Sequence, residues 1–114
     1  PIYGDGKQRR DWIYVDDNIN AVLKIAENGK INNNYNIGSQ YSLTNIQLVK
    51  KICSVLVKKY NFDKKIYDLI YFVKDRPGHD RNYSLNSSKL KKLGWKCQNK
   101  FEAGIEKTIN WLIK

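Results

Sequence analysis

The sequence has no methionine, one histidine, two cysteines and, beside seventeen lysines, only four arginines. With no methionine and with Pro1 as its first residue, the 114-residue chain is expected to be cut from a longer protein. Cys53 falls in a helical pattern and Cys97 in a polar stretch, and neither has a second Cys or His at metal-ligand spacing. That excludes a zinc site and fits a reducing cytoplasm. There is no apolar run near the ~18 residues that a membrane helix needs, and no signal peptide, so the expectation is a cytoplasmic chain that neither spans a membrane nor is secreted. Internal repeats and low-complexity stretches are also missing.

What is present fits one globular domain at most: 41% apolar residues, 12% aromatics and a formal net charge of +10. A chain this long buries about two thirds of its unfolded surface. The charge raises the possibility of a small basic nucleic-acid-binding module. The lysines argue otherwise, since they come as pairs on outer helix faces and in loops (Lys50-Lys51, Lys58-Lys59, Lys64-Lys65, Lys91-Lys92) with no nucleic-acid motif beside them. They read as a solvated surface.

The arginines are distributed differently. All four lie in two short segments, Arg9 and Arg10 in one, Arg76 and Arg81 in the other. In a composition rich in Lys, Ile and Asn, a retained arginine suggests a need for its planar fork rather than for charge alone. The second segment, Asp75-Arg76-Pro77-Gly78-His79-Asp80-Arg81, contains the single histidine. Pro77 fixes φ and Gly78 tolerates positive φ, so a tight reversal is expected here, with Tyr83-Leu85 pairing back on a strand over Leu69-Val73. Such a turn holds Arg76 and His79 close together. Guanidinium forks match phosphate oxygens and an imidazole adds a donor, so a diphosphate suits the loop. The plainer reading is an exposed hairpin with ordinary surface charges.

Elsewhere the pattern predicts an α/β or α+β chain of short strands with about four helices. Asp11-Val15 reads as a strand. A helix follows, capped at Asp16-Asn18, with Ile19, Val22, Leu23 and Ala26 recurring at helical spacing, and ended by Gly29 as a C′ residue. Tyr35-Gly38 reads as a short strand closing on a tight bend or a close backbone approach at Gly38. Thr44 and Gln47 have capping-box spacing, and Ile46, Val49, Ile52, Cys53 and Leu56 make one stripe to about Lys59. Asn45 lies in the first turn of that helix, where free N–H groups and the dipole favour anions. A charged connection over Tyr60-Asp68 follows. Asn86 or Ser87 caps a short helix ended by Gly94, Trp95 is core, and a last helix over Phe101-Ile113 buries Phe101, Ile105, Ile109 and Leu112, with Trp111 and Ile113 at its edge.

Two motifs are set aside. Tyr3-Lys7 and Tyr60-Lys64 match the Tyr-x-x-x-Lys spacing of a catalytic pair, but neither lies in a good helical pattern. Gly4-x-Gly6 lacks the third glycine and the helix of a dinucleotide fingerprint.

Three segments together carry a resemblance: Pro1-Ile2-Tyr3-Gly4 with Arg10-Asp11-Trp12-Ile13-Tyr14-Val15-Asp16-Asp17, then Tyr35-Asn36-Ile37-Gly38, then Asp75-Arg76-Pro77-Gly78-His79-Asp80-Arg81. They resemble the C-terminal part of the dTDP-glucose 4,6-dehydratases, of the extended short-chain dehydrogenase/reductase family. The likeness runs through the chain in order, to Leu93-Gly94-Trp95 and the Phe101-Thr108 helix. The first two segments are common to many nucleotide-sugar epimerases and dehydratases, whereas the Arg-Pro-Gly-His-Asp turn points to the dTDP-glucose enzymes.

The resemblance implies a Rossmann-type enzyme of which this chain is a single C-terminal nucleotide-sugar-binding portion. By that resemblance Pro1 and Tyr3 border the nucleoside, while Arg10, Asn45, Arg76 and His79 surround the diphosphate of dTDP-glucose or a related nucleotide sugar. Catalytic residues, cofactor-binding residues and metal ligands are expected to be none in this segment. NAD would be bound by an N-terminal domain absent from the chain, and the whole enzyme would oxidise the sugar at C4, eliminate water across C5-C6 and return the hydride to C6. A homodimer is expected for the full-length enzyme, with no nucleic acid and no membrane as partners. The isolated segment is expected to be inactive and, with Tyr35-Gly38 and the Trp12-Val15 region uncovered, to self-associate. The alternatives are a UDP-sugar 4,6-dehydratase, epimerase or decarboxylase of the same superfamily, or the nucleic-acid module.

Overall fold

The computed structural model describes residues 1–113, which divide into two compact units. The first comprises Pro1–Arg10 with Ser42–Tyr83, the second Asp11–Tyr41 with Ser84 onward.

In the first unit, β1 (Ile2–Tyr3) pairs in parallel with β4 (Phe72–Val73), Ile2 opposite Phe72 and Tyr3 opposite Val73. Turn residues Gly4 to Gly6 lead to β2 (Arg9–Asp11), which pairs with β3 (Ser42–Thr44). Ile2, Leu43 and Cys53 are its buried apolar residues. The helix α2 (Asn45–Tyr60) starts as its sequence predicts: the Thr44 hydroxyl accepts from the Gln47 N–H and the Gln47 side chain accepts from the Thr44 N–H. Two orphan donors are thereby satisfied by residues three apart, which makes the start legible from local sequence. Cys53 is buried, with Ile46, Val49, Ile52 and Leu56 half-buried, so the predicted stripe holds. At its far end Asn61 takes the left-handed conformation, φ 55°.

The connection after α2 contains a 3₁₀ helix over Lys64–Leu69, entered where the Asp63 carboxylate accepts from the Lys65 N–H at 2.9 Å. The expected hairpin about Pro77-Gly78 does not form. Gly78 has the predicted positive φ, 70°, with open space around it. Tyr83 returns not to β4 but to β2: Arg9 N–H donates to Arg81 C=O at 2.8 Å, and Tyr83 N–H donates to Arg9 C=O at 3.1 Å. The partner of β4 is β1 instead: the carbonyls of Tyr71 and Val73 accept from the N–H groups of Ile2 and Gly4.

The second unit is helical among its described residues. The helix α1 spans Val15–Asn28, taking the last residue of the expected Asp11-Val15 strand, of which only Asp11 is in a strand, with Tyr14 as an N-cap that makes no side-chain cap bond. Asp16 and Asp17 fall inside its first turn, where they complement the helix dipole. Gly29 ends the helix with an ordinary φ of −69°, not the left-handed cap expected. Its lack of a side chain still matters, because a Cβ would lie 2.4 Å from the Ile25 carbonyl oxygen.

The buried face of α1 is not the one that its apolar spacing marks. Ala21 is fully buried and Ile25 packs beside it, in a cluster with Leu90 and Trp95. Ile19, Val22, Leu23 and Ala26, whose spacing marked the helix, are all exposed. Ala21 is small enough for the large Leu90 and Trp95 side chains to approach the helix on that side, a preference that apolar spacing alone does not encode.

Tyr35–Gly38 forms no strand. Its polar groups go to side-chain bonds instead: the Gly38 carbonyl accepts from Ser87 Oγ at 3.2 Å and the Asn36 amide donates to the Asn86 carbonyl at 3.4 Å. Gly38 is a close approach as predicted, since a Cβ would meet Asp11 Oδ2 at 2.6 Å. The helix α3 (Ser88–Lys92) begins with the Asn86 side chain accepting from the Ser88 N–H, and Gly94 follows it at φ 88°. In α4 (Phe101–Ile113) Ile109 is buried and Phe101 and Ile105 are half-buried, but Leu112 is 67% exposed, so the predicted stripe stops one turn early. Among the described residues no helix is long and apolar enough to cross a membrane.

Candidate functional site

All six residues singled out from the sequence as substrate-binding fall in the first unit. Three of them meet. Arg10 Nη2 lies 3.0 Å from His79 Nε2, and the ring of Tyr3 stands edge-on to that of His79, with centroids 6.4 Å apart. β1 presents Tyr3, β2 presents Arg10, and the loop after β4 brings His79 back to both.

The guanidinium of Arg10 is held on several sides. It donates to the carbonyls of Arg9 at 2.7 Å and Asp80 at 2.9 Å, and it lies 4.5 Å from the centroid of the Tyr83 ring. Asp80 keeps its carboxylate for the Tyr83 hydroxyl, a bond that pushes the Tyr83 pKa up. His79 in turn donates from Nδ1 to Asp75 Oδ1 at 2.6 Å. Asp75 also accepts from the Arg76 N–H at 2.9 Å and from Gln8 Nε2 at 2.7 Å. The bond from His79 is the main reason that the Asp75 carboxyl sits below the usual carboxylate range; partial burial opposes it, and the Arg76 and Gln8 donors add to it.

The other three residues are more loosely placed. Arg76 follows Asp75 directly, and among the described residues no side-chain partner holds its guanidinium. Pro1 is exposed beside Ile2 of β1. Asn45 begins α2, but its setting differs from the expectation. The Asn45 N–H donates to the Gln8 carbonyl at 3.0 Å, the Ile46 N–H to the Gly6 carbonyl at 3.1 Å, and the Gln47 N–H to Thr44. The amides that were to attract an anion are thus used by the chain itself, which leaves only the Asn45 side chain to reach a ligand.

Of the four arginines, two have structural roles. Arg9 clamps Ser42 through its hydroxyl at 3.3 Å and its carbonyl at 3.0 Å. Arg81 forms an exposed ion pair with Asp5 at 3.2 Å. The two arginines not named as substrate-binding are thus the two with partners of this kind, Ser42 and Asp5.

Sequence reasoning missed Gln8, Asp75, Asp80 and Tyr83. Gln8 is 2% exposed, and a buried glutamine in a turn between glycines and arginines gives no periodic signal. Asp75 stood in the motif, but nothing local reveals that its carboxylate serves His79 four residues on.

A family model described as GDP-mannose 4,6 dehydratase matches residues 1–108. The chain belongs to that family. Among its relatives, the dTDP-glucose 4,6-dehydratase of Haemophilus influenzae is 46% identical over 118 residues, covering 99% of this chain and 35% of that protein. The crystal structure of dTDP-glucose 4,6-dehydratase from Bacillus anthracis in complex with NAD superposes with a TM-score of 0.85 at 34% identity, over 99% of this chain and 34% of that one. The dTDP-glucose 4,6-dehydratase of Streptomyces venezuelae, solved with NAD and a nucleotide ligand, gives 0.84 at 32% identity, over 99% and 33%. The chain thus spans about a third of the length of the relatives it matches. These likenesses show the α/β class of Rossmann-type short-chain dehydratases and favour neither the nucleic-acid module nor the UDP-sugar alternatives.

The residues described here do not suit the NAD seen in those family members. Gly4 and Gly6 have positive φ, 59° and 68°, but their open sides are filled from within. A Cβ on Gly4 would meet Asp75 Oδ2 at 2.7 Å, and one on Gly6 would meet Ile2 Cγ2 at 2.9 Å. The turn leads to a strand, not to a helix N-terminus on which a pyrophosphate could rest. Neither of the Tyr-x-x-x-Lys matches lies on one α-helix.

Proposed function

We propose that this chain is the nucleotide-sugar-binding portion of an NAD-dependent dTDP-glucose 4,6-dehydratase, converting dTDP-glucose to its 4-keto-6-deoxy product, and that it grips the diphosphate of the substrate. The meeting of Arg10 and His79 beside Tyr3 is the observation that supports it most. Arg10 and Arg76 offer forks to the phosphate oxygens, His79 and the Asn45 amide border the same diphosphate, and Pro1 with Tyr3 borders the nucleoside. None of these residues does the chemistry. Their contribution is remote binding energy that positions the sugar ring. NAD belongs in this reading to an N-terminal domain outside the described residues. So do the acid/base groups, and the 114-residue chain alone is expected to show no turnover.

The same reading makes the whole enzyme a cytoplasmic homodimer, and the isolated chain self-associating through its uncovered Tyr35-Gly38 and Trp12-Val15 regions. Sedimentation at micromolar concentration tests the association. The function is tested by supplying the intact protein with dTDP-glucose and NAD and following the 4-keto-6-deoxy product. Turnover of dTDP-glucose supports the proposal, and its absence beside turnover of UDP-glucose would reassign the base.

A further inference from the structure

His79 has a one-way partner on each side. On Nδ1 stands the Asp75 carboxylate, an acceptor 2.6 Å away, and on Nε2 stands the Arg10 guanidinium, a donor 3.0 Å away. A guanidinium has no lone pair to accept a bond, and an ionised carboxylate has no proton to give. The ring satisfies both only with its proton on Nδ1 and a bare Nε2. Gln8 fits the same assignment. Its Nε2 donates to the second oxygen of Asp75 at 2.7 Å, and at 3.5 Å from Nδ1 it makes no bond to a nitrogen that already carries a proton. The carboxylate is also boxed in from Gly4, where even a methyl group would fall 2.7 Å from Oδ2.

The consequence lies at Arg10. Its partners are the carbonyls of Arg9 and Asp80, a neutral imidazole nitrogen and the face of Tyr83. Each orients the guanidinium and none cancels its charge. A carboxylate in the place of His79 would hold Arg10 as firmly but would compete with any anion for it. The Asp75 carboxylate sits instead behind the imidazole, and the nearby Asp80 carboxylate is engaged by the Tyr83 hydroxyl.

We propose that Asp75 and Gln8 are positioning residues that fix His79 as the Nδ1–H tautomer, so that its bare Nε2 aims an uncompensated Arg10 at the ligand's diphosphate. The proposal rests on the diphosphate reading for the ligand, but not for the tautomer. Because His79 is the single histidine, 15N-histidine labelling of the chain reports on this ring alone. The expected spectrum at neutral pH has a protonated Nδ1 and an unprotonated Nε2. A ring protonated on Nε2, or a mixture of the two forms, would overturn the proposal without any variant. Asp75→Asn should shift the ring towards the Nε2–H form and weaken binding of inorganic pyrophosphate about tenfold, and Gln8→Ala about threefold. Unchanged tautomer and affinity in Asp75→Asn would also overturn it. If the wild-type chain shows the expected tautomer but binds neither pyrophosphate nor dTDP, the diphosphate reading fails while the positioning of His79 stands.

Discussion

Two aspartates, one in each unit, show how differently the same side chain is used. Asp17 in the second unit is 1% exposed, and its carboxylate accepts from the backbone N–H of Gln98 at 2.9 Å and of Asn99 at 3.1 Å, and from Cys97 Sγ at 3.3 Å. The Trp95 indole donates to its carbonyl at 3.3 Å. Asp75 in the first unit has a side chain 35% exposed and bonded mainly to other side chains, Gln8 and His79. Both carboxyls lie below the usual range. For Asp17 burial is the largest influence and raises the pKa, but the two backbone donors and Cys97 outweigh it, whereas for Asp75 the imidazole leads. A buried carboxylate on backbone amides holds a loop in place. A half-exposed one on side chains is, in the proposed reading, what sets the state of a binding group.

The largest effect should come from breaking the core that Asp17 supports. Leu90→Ala is expected to cost about 3 kcal/mol, since Leu90 is fully buried against Ala21 and Trp95. Urea unfolding measures it, and pyrophosphate affinity of the folded fraction should not move. A parallel loss of affinity would break the contrast between the units.

Asp17→Asn comes next, at about 2 kcal/mol for a charge-assisted backbone anchor. Its folded-state pKa is depressed, so its contribution is present above the unfolded value of about 3.9 and is lost as pH falls through the lower folded value. Unfolding followed from pH 5 down to pH 2 should therefore show a steeper acid-dependent fall in wild type than in Asp17→Asn, where the depressed Asp75 and Asp5 carboxyls still titrate. The Cys97 thiol, pushed up to about 11 by burial and by Asp17, should react slowly with thiol reagents and faster in the same variant.

For the first unit the readout is binding. Arg76→Lys keeps the charge but loses the fork, and affinity of the intact protein for the nucleotide sugar should fall about tenfold, while stability stays within about 0.5 kcal/mol. Equal affinity would return the loop to a surface turn. The smallest effect is expected at Gly78. Replacement by Ala meets open space, so only the strain of φ 70° remains, about 1 kcal/mol in thermal unfolding.

The sequence by itself determined what depends on near neighbours. The Thr44-Gln47 capping box, the stripe of α2 and the positive φ of Gly78 are legible because the groups that satisfy them lie within a few residues. The three segments that resemble the dehydratases also pointed to the family that the comparisons established. Tertiary structure alone decided the rest. β4 pairs with β1, seventy residues away in sequence, so the strand pattern around Pro77-Gly78 could not reveal that Tyr83 returns to Arg9. The face of α1 that is buried was settled by Leu90 and Trp95 rather than by its own spacing. Asp17 looked like a helix cap because its partners, Gln98 and Asn99, lie some eighty residues on. Gln8, Asp75 and His79 likewise become one unit only when β1, β2 and the arginine loop converge. A side chain's hydrogen-bond partner is set by where the backbone carries it, and spacing along the chain predicts that only within a turn or two of helix.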